Sequence, residues 1–263
     1  MRGATIPTLR DCVYGQAVAD ALGVPYEFRP RGTFRCTDMV GHGSHNKPTG
    51  TWSDDTSMTL AICDSYRELG RIDVDDIRER FVRWYREGAY TVDGLFDIGN
   101  ATREALERGH GLAGEWDNGN GSLMRTVPLA FTDATDDEVR AASAITHAHP
   151  TSTEACVAIV HIARDLIAGA SSADVAGDIA ARPVDEIRSG GFVRDTFDAA
   201  LWCLANTSSY AECTLAAVNL GDDTDTTAAV AGALAGIVYG IERIPLEWLN
   251  KLRGKALIES CLF

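Results

Sequence analysis

The stretch GDDTDTTAAVAGALAGIVYGI, residues Gly221 to Ile241, combines the two features that organise the whole chain. From Ala228 to Ile241 it is the longest apolar run in the sequence, yet shorter than the ~20 residues a membrane span requires. Ala and Gly dominate it, so it predicts a helix buried on all sides with its neighbours close by. Ahead of that helix stand three carboxylates and three hydroxyls: Asp222, Asp223, Thr224, Asp225, Thr226 and Thr227. Side-chain oxygens at a helix start cap unpaired backbone N–H groups, and acids there suit the helix dipole.

Helical spacing recurs along the chain. Val13, Ala17, Ala21 and Val24 are spaced at helical intervals; Ile62, Tyr66 and Leu69, and Ile77, Phe81 and Trp84, repeat the pattern. Ala155, Ile159, Ile162 and Leu166 give the clearest stripe, and Phe197, Leu201 and Leu204 another. Sustained alternation is hard to find, so strands should be few. The pattern predicts an all-α fold, a compact bundle of roughly ten or more helices. No Pro/Gly/Ser linker and no fixed-period repeat divides the chain, so residues 1–263 are read as a single domain. Two irregular segments interrupt the helices: Arg29–Thr51, expected as a long loop over a site, and the Gly/Asn-rich loop Gly109–Gly121.

Of the 263 residues 45% are apolar, enough to bury a core, which excludes disorder of the whole chain. With 24 Lys+Arg against 38 Asp+Glu, the formal net charge is -14. Phosphate backbones repel such a surface, so no nucleic-acid footprint is expected, whereas a cationic partner or a metal is readily accommodated. Met1–Arg10 holds no apolar signal core and no membrane span is predicted, so a cytoplasmic protein is expected. The cysteines, Cys12, Cys36, Cys63, Cys156, Cys203, Cys213 and Cys261, are odd in number, widely spread and without a C-x-x-C pair. That argues for reduced thiols over a zinc site or disulfides.

A second oxygen-rich cluster, Trp52-Ser53-Asp54-Asp55-Thr56, precedes a helix expected from about Met58 to Leu69. One cap consumes one side chain, and each cluster supplies several. If the two helix starts converge, Asp54, Asp55, Asp222, Asp223 and Asp225 repel strongly at low dielectric. A divalent cation would remove that repulsion. Carboxylate and hydroxyl oxygens, with no Cys or His nearby in sequence, select Mg2+, Mn2+ or Ca2+ over Zn2+. Capping alone and cation binding are the two readings of these clusters. Elsewhere, Glu27 reads by itself as a solvated loop carboxylate and Asp97 as the N-cap of a helix through Leu106. Gly119-Asn120-Gly121-Ser122 reads as a turn and cap, and His147 and His149 as loop or core histidines between two helices. His42, His45, His110 and His161 receive no role. Trp52, beside the acidic motif, is expected to wall a pocket, and Trp84, Trp116, Trp202 and Trp248 to pack in the core or in loops.

In combination and in this order, six motifs make the chain resemble the ADP-ribosylglycohydrolases. They are Gly15-Gln16-Ala17-Val18-Ala19-Asp20-Ala21-Leu22-Gly23 with Glu27, Trp52-Ser53-Asp54-Asp55-Thr56, Phe96-Asp97-Ile98-Gly99-Asn100, Gly119-Asn120-Gly121-Ser122-Leu123-Met124-Arg125, Thr146-His147, and Gly221-Asp222-Asp223-Thr224-Asp225-Thr226. The resemblance covers nearly the whole chain. It implies an all-α fold, a centre of two ions, Mg2+ or Mn2+, and hydrolysis of ADP-ribosyl adducts. Ser53, Asp54 and Asp55, with Asp223, Asp225 and Thr226, match the family's metal ligands. Ala19 stands where many members have Gly, and Ser53 where many have Thr; the small size and the hydroxyl are kept.

The resemblance also implies roles for the other residues. Glu27 matches a mobile acid near the metals and the scissile bond. With Asp54 and Asp55 it forms the expected catalytic group, since carboxylates activate water or assist departure in glycoside cleavage. Asp97 matches an acid that faces the substrate guanidinium in arginine-specific members, a pairing favoured by bidentate geometry. Gly119, Asn120, Gly121, Ser122 and His147 match the segments that hold the diphosphate and proximal ribose. Glycines allow close backbone approach, and N–H groups at a helix start bind phosphate. Met124 and Arg125 are expected as packing and framework. The expected activity is removal of ADP-ribose from protein arginine, the partner being an ADP-ribosylated protein or a small-molecule ADP-ribose adduct. Cleavage of an O-linked adduct, ADP-ribosylserine or O-acetyl-ADP-ribose, is the alternative within this chemistry. A non-catalytic ADP-ribose-binding or crystallin-like protein is the alternative outside it.

Overall fold

Twelve α-helices form among the described residues, 6–263, of the computed structural model. They are α1 (Leu9–Gly23), α2 (Asp54–Leu69), α3 (Val74–Glu87), α4 (Asn100–Arg108), α5 (Asp136–Ala144), α6 (Pro150–Ile167), α7 (Ser172–Ala176), α8 (Val193–Ala205), α9 (Tyr210–Asn219), α10 (Thr224–Tyr239), α11 (Leu246–Lys251) and α12 (Lys255–Cys261). Short 3-10 turns join them, and among the described residues extended pairing is limited to isolated β-bridges, so the fold is all-α as the spacing predicts. The five apolar stripes fall on α1, α2, α3, α6 and α8, with Val24 just past the end of α1.

The Ala/Gly-rich stretch becomes α10, and its composition sets how close its neighbours come. A Cβ at Gly15 of α1 would lie 2.3 Å from the Gly232 carbonyl oxygen, and one at Gly236 would lie 2.1 Å from that of Asp11. Backbone therefore meets backbone along the α1–α10 contact, a fit that any larger side chain would disrupt. The Tyr210 hydroxyl of α9 donates to the Gly15 carbonyl oxygen at 2.6 Å, and α8 and α9 flank α10. The next residue, Gln16, ties α1 to α2, donating to the Asp55 carbonyl oxygen at 3.2 Å and to Thr59 Oγ1 at 2.7 Å. One hydrophobic cluster runs from Leu9 to Cys261. All seven cysteines are buried and unpaired. No helix among the described residues is long and apolar enough to cross a membrane. The reading of Met1–Arg10 lies partly, at residues 1–5, outside the described residues.

Two helix starts differ from expectation. α2 begins at Asp54, not near Met58, because Ser53 is its N-cap and accepts from the Asp55 N–H at 3.3 Å. The acids thus sit in the first turn, where the helix dipole favours them. Asp97 does not cap α4. The N-cap is Gly99, and Asp97 lies before it in a left-handed conformation, φ 55.

Candidate active site and metal centre

The starts of α2 and α10 meet. Ser53 Oγ donates to Asp55 Oδ2 at 2.8 Å, and Thr226 Oγ1 approaches the same oxygen from α10 at 3.4 Å. Carboxylate oxygens of Asp20, Asp55 and Asp225 lie within 4.8 Å of one another. Asp55 Oδ1, Asp223 Oδ1 and Asp225 Oδ2 are buried without a hydrogen-bond partner. Orphaned buried carboxylate oxygens are costly and rare in native proteins. Burial, followed by the negative charge of neighbouring acids, raises the carboxyls of Asp54, Asp55 and Asp225 well above the usual range. Capping does not account for these unpartnered carboxylate oxygens. An oxygen-only donor set of this charge suits a hard divalent cation, and the cluster can hold metal ions. Asp222 is the exception among the five acids. Its side chain is exposed and its backbone pairs with Arg29.

Asp20, part of a matching motif but given no role from the sequence, underlies this centre. Its carboxylate accepts from the backbone N–H of Ser53 at 2.9 Å and of Thr56 at 3.0 Å, and from Thr56 Oγ1 at 2.6 Å. It thereby fixes the first turn of α2. Burial still pushes it up to about 7 despite those donors.

Glu27 follows the turn Val24–Tyr26 and is buried, not solvated. Burial, then the charge of Asp97 and Asp223, pushes its carboxyl up to about 10. The next residue, Phe28, has φ 63 and donates its N–H to the Asp222 carbonyl oxygen at 2.7 Å. This ties the Glu27 segment to the start of α10. Glu27, Asp54, Asp97, Asp223 and Thr226 all line one cavity of about 270 Å3.

The same cavity is also lined by Gly119, Asn120, Gly121 and His147. A Cβ at Gly121 would stand 2.8 Å from His147 Cε1, so any larger residue would force the ring or the loop to shift. Burial, then the charge of Arg125, pushes His147 down to about 3, leaving its imidazole neutral. Arg125 is framework, as expected. It donates to the Gly121 carbonyl oxygen at 2.9 Å and to Thr146 Oγ1 at 2.8 Å. Ser122 departs from expectation. The turn Leu123–Arg125 carries its side chain into the core, where the hydroxyl is 0% exposed and accepts from Ser143 Oγ at 2.9 Å. Met124, expected as packing, reaches the cavity. The tryptophans exchange places. Trp52 is 1% exposed and its Nε1 donates to the Tyr90 carbonyl oxygen, whereas Trp116 is 92% exposed and lines the cavity.

The ADP-ribosylglycohydrolase family profile matches residues 4–262. The chain is 37% identical over 272 residues to ADP-ribosylarginine hydrolase Tri1 of Serratia proteamaculans (strain 568), covering 92% of this chain and 74% of that protein. It is 34% identical over 268 residues to ADP-ribosyl-[dinitrogen reductase] glycohydrolase of Rhodospirillum rubrum, covering 90% and 87%. A solved ADP-ribosylglycohydrolase-related protein complex matches with a TM-score of 0.83 at 32% identity, over 96% of this chain and 95% of that one. The chain belongs to the ADP-ribosylglycohydrolase family. Its chemistry is therefore hydrolysis of the glycosidic bonds of ADP-ribose.

Within this glycohydrolase, the cavity gathers most of the residues singled out from the sequence. Two participants escaped that reading. Asp20 reads as one polar residue in an otherwise apolar helix. His45, on the turn Gly43–His45 of the irregular Arg29–Thr51 segment, contacts the Glu27 carboxylate. Its proximity follows only from tertiary folding.

Proposed function

We propose that this glycohydrolase removes ADP-ribose from protein arginine, using two divalent cations, Mg2+ or Mn2+, and that residues 1–263 act as a single domain in the cytoplasm. The observation that carries the reading is the set of unpartnered buried oxygens on Asp55, Asp223 and Asp225, beside a cavity lined by Glu27 and Asp97. The name of the 37% identical relative, an ADP-ribosylarginine hydrolase, supports the arginine linkage. The unpaired thiols suit a reducing compartment.

Ser53, Asp54, Asp55, Asp223, Asp225 and Thr226 would hold the cations. Bound there, the cations supply polarisation of ribose hydroxyls and of water. Glu27 takes the proton of the attacking water as the bond at the ribose anomeric carbon breaks. Burial, then the like charge of Asp97 and Asp223, holds its carboxyl high, and nearby positive charge would favour the ionised form. Asp97 holds the cationic leaving group, its two oxygens matching the guanidinium fork. Gly119, Asn120 and Gly121 let the diphosphate approach the backbone. His147, kept neutral by burial, offers it a ring N–H. The Ser122 hydroxyl takes no part.

Arginine-, serine- and acetyl-linked ADP-ribose, each incubated with the protein and Mg2+, test this reading through release of free ADP-ribose. Release fastest from the arginine adduct supports it. Release confined to the oxygen-linked adducts replaces the arginine assignment, and binding of ADP-ribose without release from any adduct removes the enzymatic one.

A further inference from the structure

The turn carrying His45 is fastened to both segments that bring Glu27 and Asp97 to the cavity. On one side, a Cβ at Gly43 would lie 2.0 Å from the Pro25 carbonyl oxygen, so the turn sits directly on the segment leading to Glu27. Ser44 Oγ donates to the Glu27 carbonyl oxygen at 2.5 Å. On the other side, Lys47 Nζ donates to the Asp93 carbonyl oxygen at 3.0 Å and lies 4.6 Å from the centre of the Phe96 ring. Between these anchors, His45 Nε2 hydrogen-bonds Glu27 Oε2 and lies 3.9 Å from Asp97 Oδ1. The imidazole is flanked by the rings of Phe28 and Phe96, with centroids 5.7 Å and 5.2 Å away.

We propose that His45 is the positioning residue for Glu27, its Nε2 fixing where the Glu27 carboxylate stands in the cavity lining and how far that carboxylate is from Asp97. The proposal rests on the assignment of Glu27 to the reaction made above. A glutamate side chain has several staggered rotamers, so the backbone alone leaves the Glu27 carboxylate several directions. A hydrogen bond from a ring that is itself wedged between two aromatics removes that freedom. Misplacement of a reacting group by about 1 Å costs on the order of a hundredfold in rate. His45 does not line the cavity, so its loss should leave ligand affinity alone.

The test compares His45→Phe, which keeps a ring between Phe28 and Phe96 but has no Nε2, with His45→Gln, whose amide nitrogen reaches about as far as Nε2. Both are made also in a Glu27→Gln background. With Mg2+ present, His45→Phe should lower kcat on the ADP-ribosyl adduct on the order of ten- to a hundredfold. KM, the affinity for free ADP-ribose and Tm should stay near wild type, and His45→Gln should recover much of the loss. In the Glu27→Gln background His45→Phe should have no further effect. Unchanged kcat in His45→Phe, failure of His45→Gln to recover, or an equal loss in the Glu27→Gln background overturns the proposal alone. Absence of turnover by the wild-type protein on every adduct overturns the assigned reaction and the proposal with it.

Discussion

Asn120 donates its side-chain amide to Asp223 Oδ2 at 2.8 Å while also donating to Thr196 Oγ1 at 2.8 Å. The Gly/Asn-rich loop and the acid at the start of α10 are therefore one unit. With Oδ2 held in this way, the unpartnered Oδ1 of Asp223 has a fixed direction. Asn120→Ala removes that restraint without removing a charge from the cluster. Partners that orient ligating carboxylates typically contribute about 10–100-fold in metal affinity or activity. Asn120→Ala should weaken Mg2+ binding, measured by calorimetry, by at least about tenfold on that scale. An unchanged affinity in a folded variant would separate Asn120 from the metal centre.

The acidic centre also sets a pH dependence for the metal-free protein. Asp20 is pushed up to about 7 and Glu27 to about 10, chiefly by burial, against about 4 for carboxylates in unfolded chains. Such groups favour folding when protonated. Their contribution is complete below the unfolded value and is lost as pH rises through about 7 for Asp20 and towards 10 for Glu27. Ion-paired acids such as Asp38, held low by Lys251, lose their contribution only at more acidic pH. Metal-free protein should therefore lose thermal stability between about pH 5 and pH 8. Mg2+ should restore it most at the upper end, since ligand at a hundred times its Kd adds ~2.7 kcal/mol. A metal-free Tm that rises across this range contradicts the prediction.

Gly121 leaves no room for a larger residue beside His147, because a Cβ would stand 2.8 Å from Cε1 and 3.2 Å from Thr102 Oγ1. Gly121→Ala should push the imidazole aside and weaken ADP-ribose binding by on the order of tenfold, the equivalent of ~1.4 kcal/mol. Calorimetry with ADP-ribose measures it. Wild-type affinity would show that neither group holds the ligand.

Asp97 is freed from a capping role, since Gly99 caps α4. Asp97→Asn keeps the shape, and Asn tolerates the left-handed conformation that Asp97 occupies. Loss of a charge-assisted contact costs ~1.5–3 kcal/mol, so turnover of the arginine adduct should fall by roughly ten- to over a hundredfold. Serine-adduct turnover should change far less. Kinetics on both adducts decide, and equal losses remove the specificity role.

The parts of the fold visible in the sequence are those that local spacing controls. Stripes such as Ala155, Ile159, Ile162 and Leu166 mark one face of α6, and the Ala/Gly run marks a helix whose backbone meets that of α1. The acids of the candidate metal site are legible because each cluster exceeds what a cap needs. Long-range packing determines the rest. Asp20 acts on a turn 33 residues away, and nothing in α1 announces that. His45 lies in an irregular segment whose path is set by Gly43 against Pro25. Ser122 and Trp52 sit inside matching motifs, yet the turn Leu123–Arg125 and the core packing around Trp52 direct both side chains away from the cavity.

The central claim is that the converging carboxylates of α2 and α10 hold divalent cations that the hydrolysis requires. Its most direct test is the rate of ADP-ribose release from ADP-ribosylarginine by metal-stripped protein, before and after addition of Mg2+, for wild type and for Asp225→Ala. Wild type should be nearly inactive when stripped and regain its rate with Mg2+, while Asp225→Ala should remain nearly inactive in both conditions. Full activity of the metal-stripped wild type contradicts the claim.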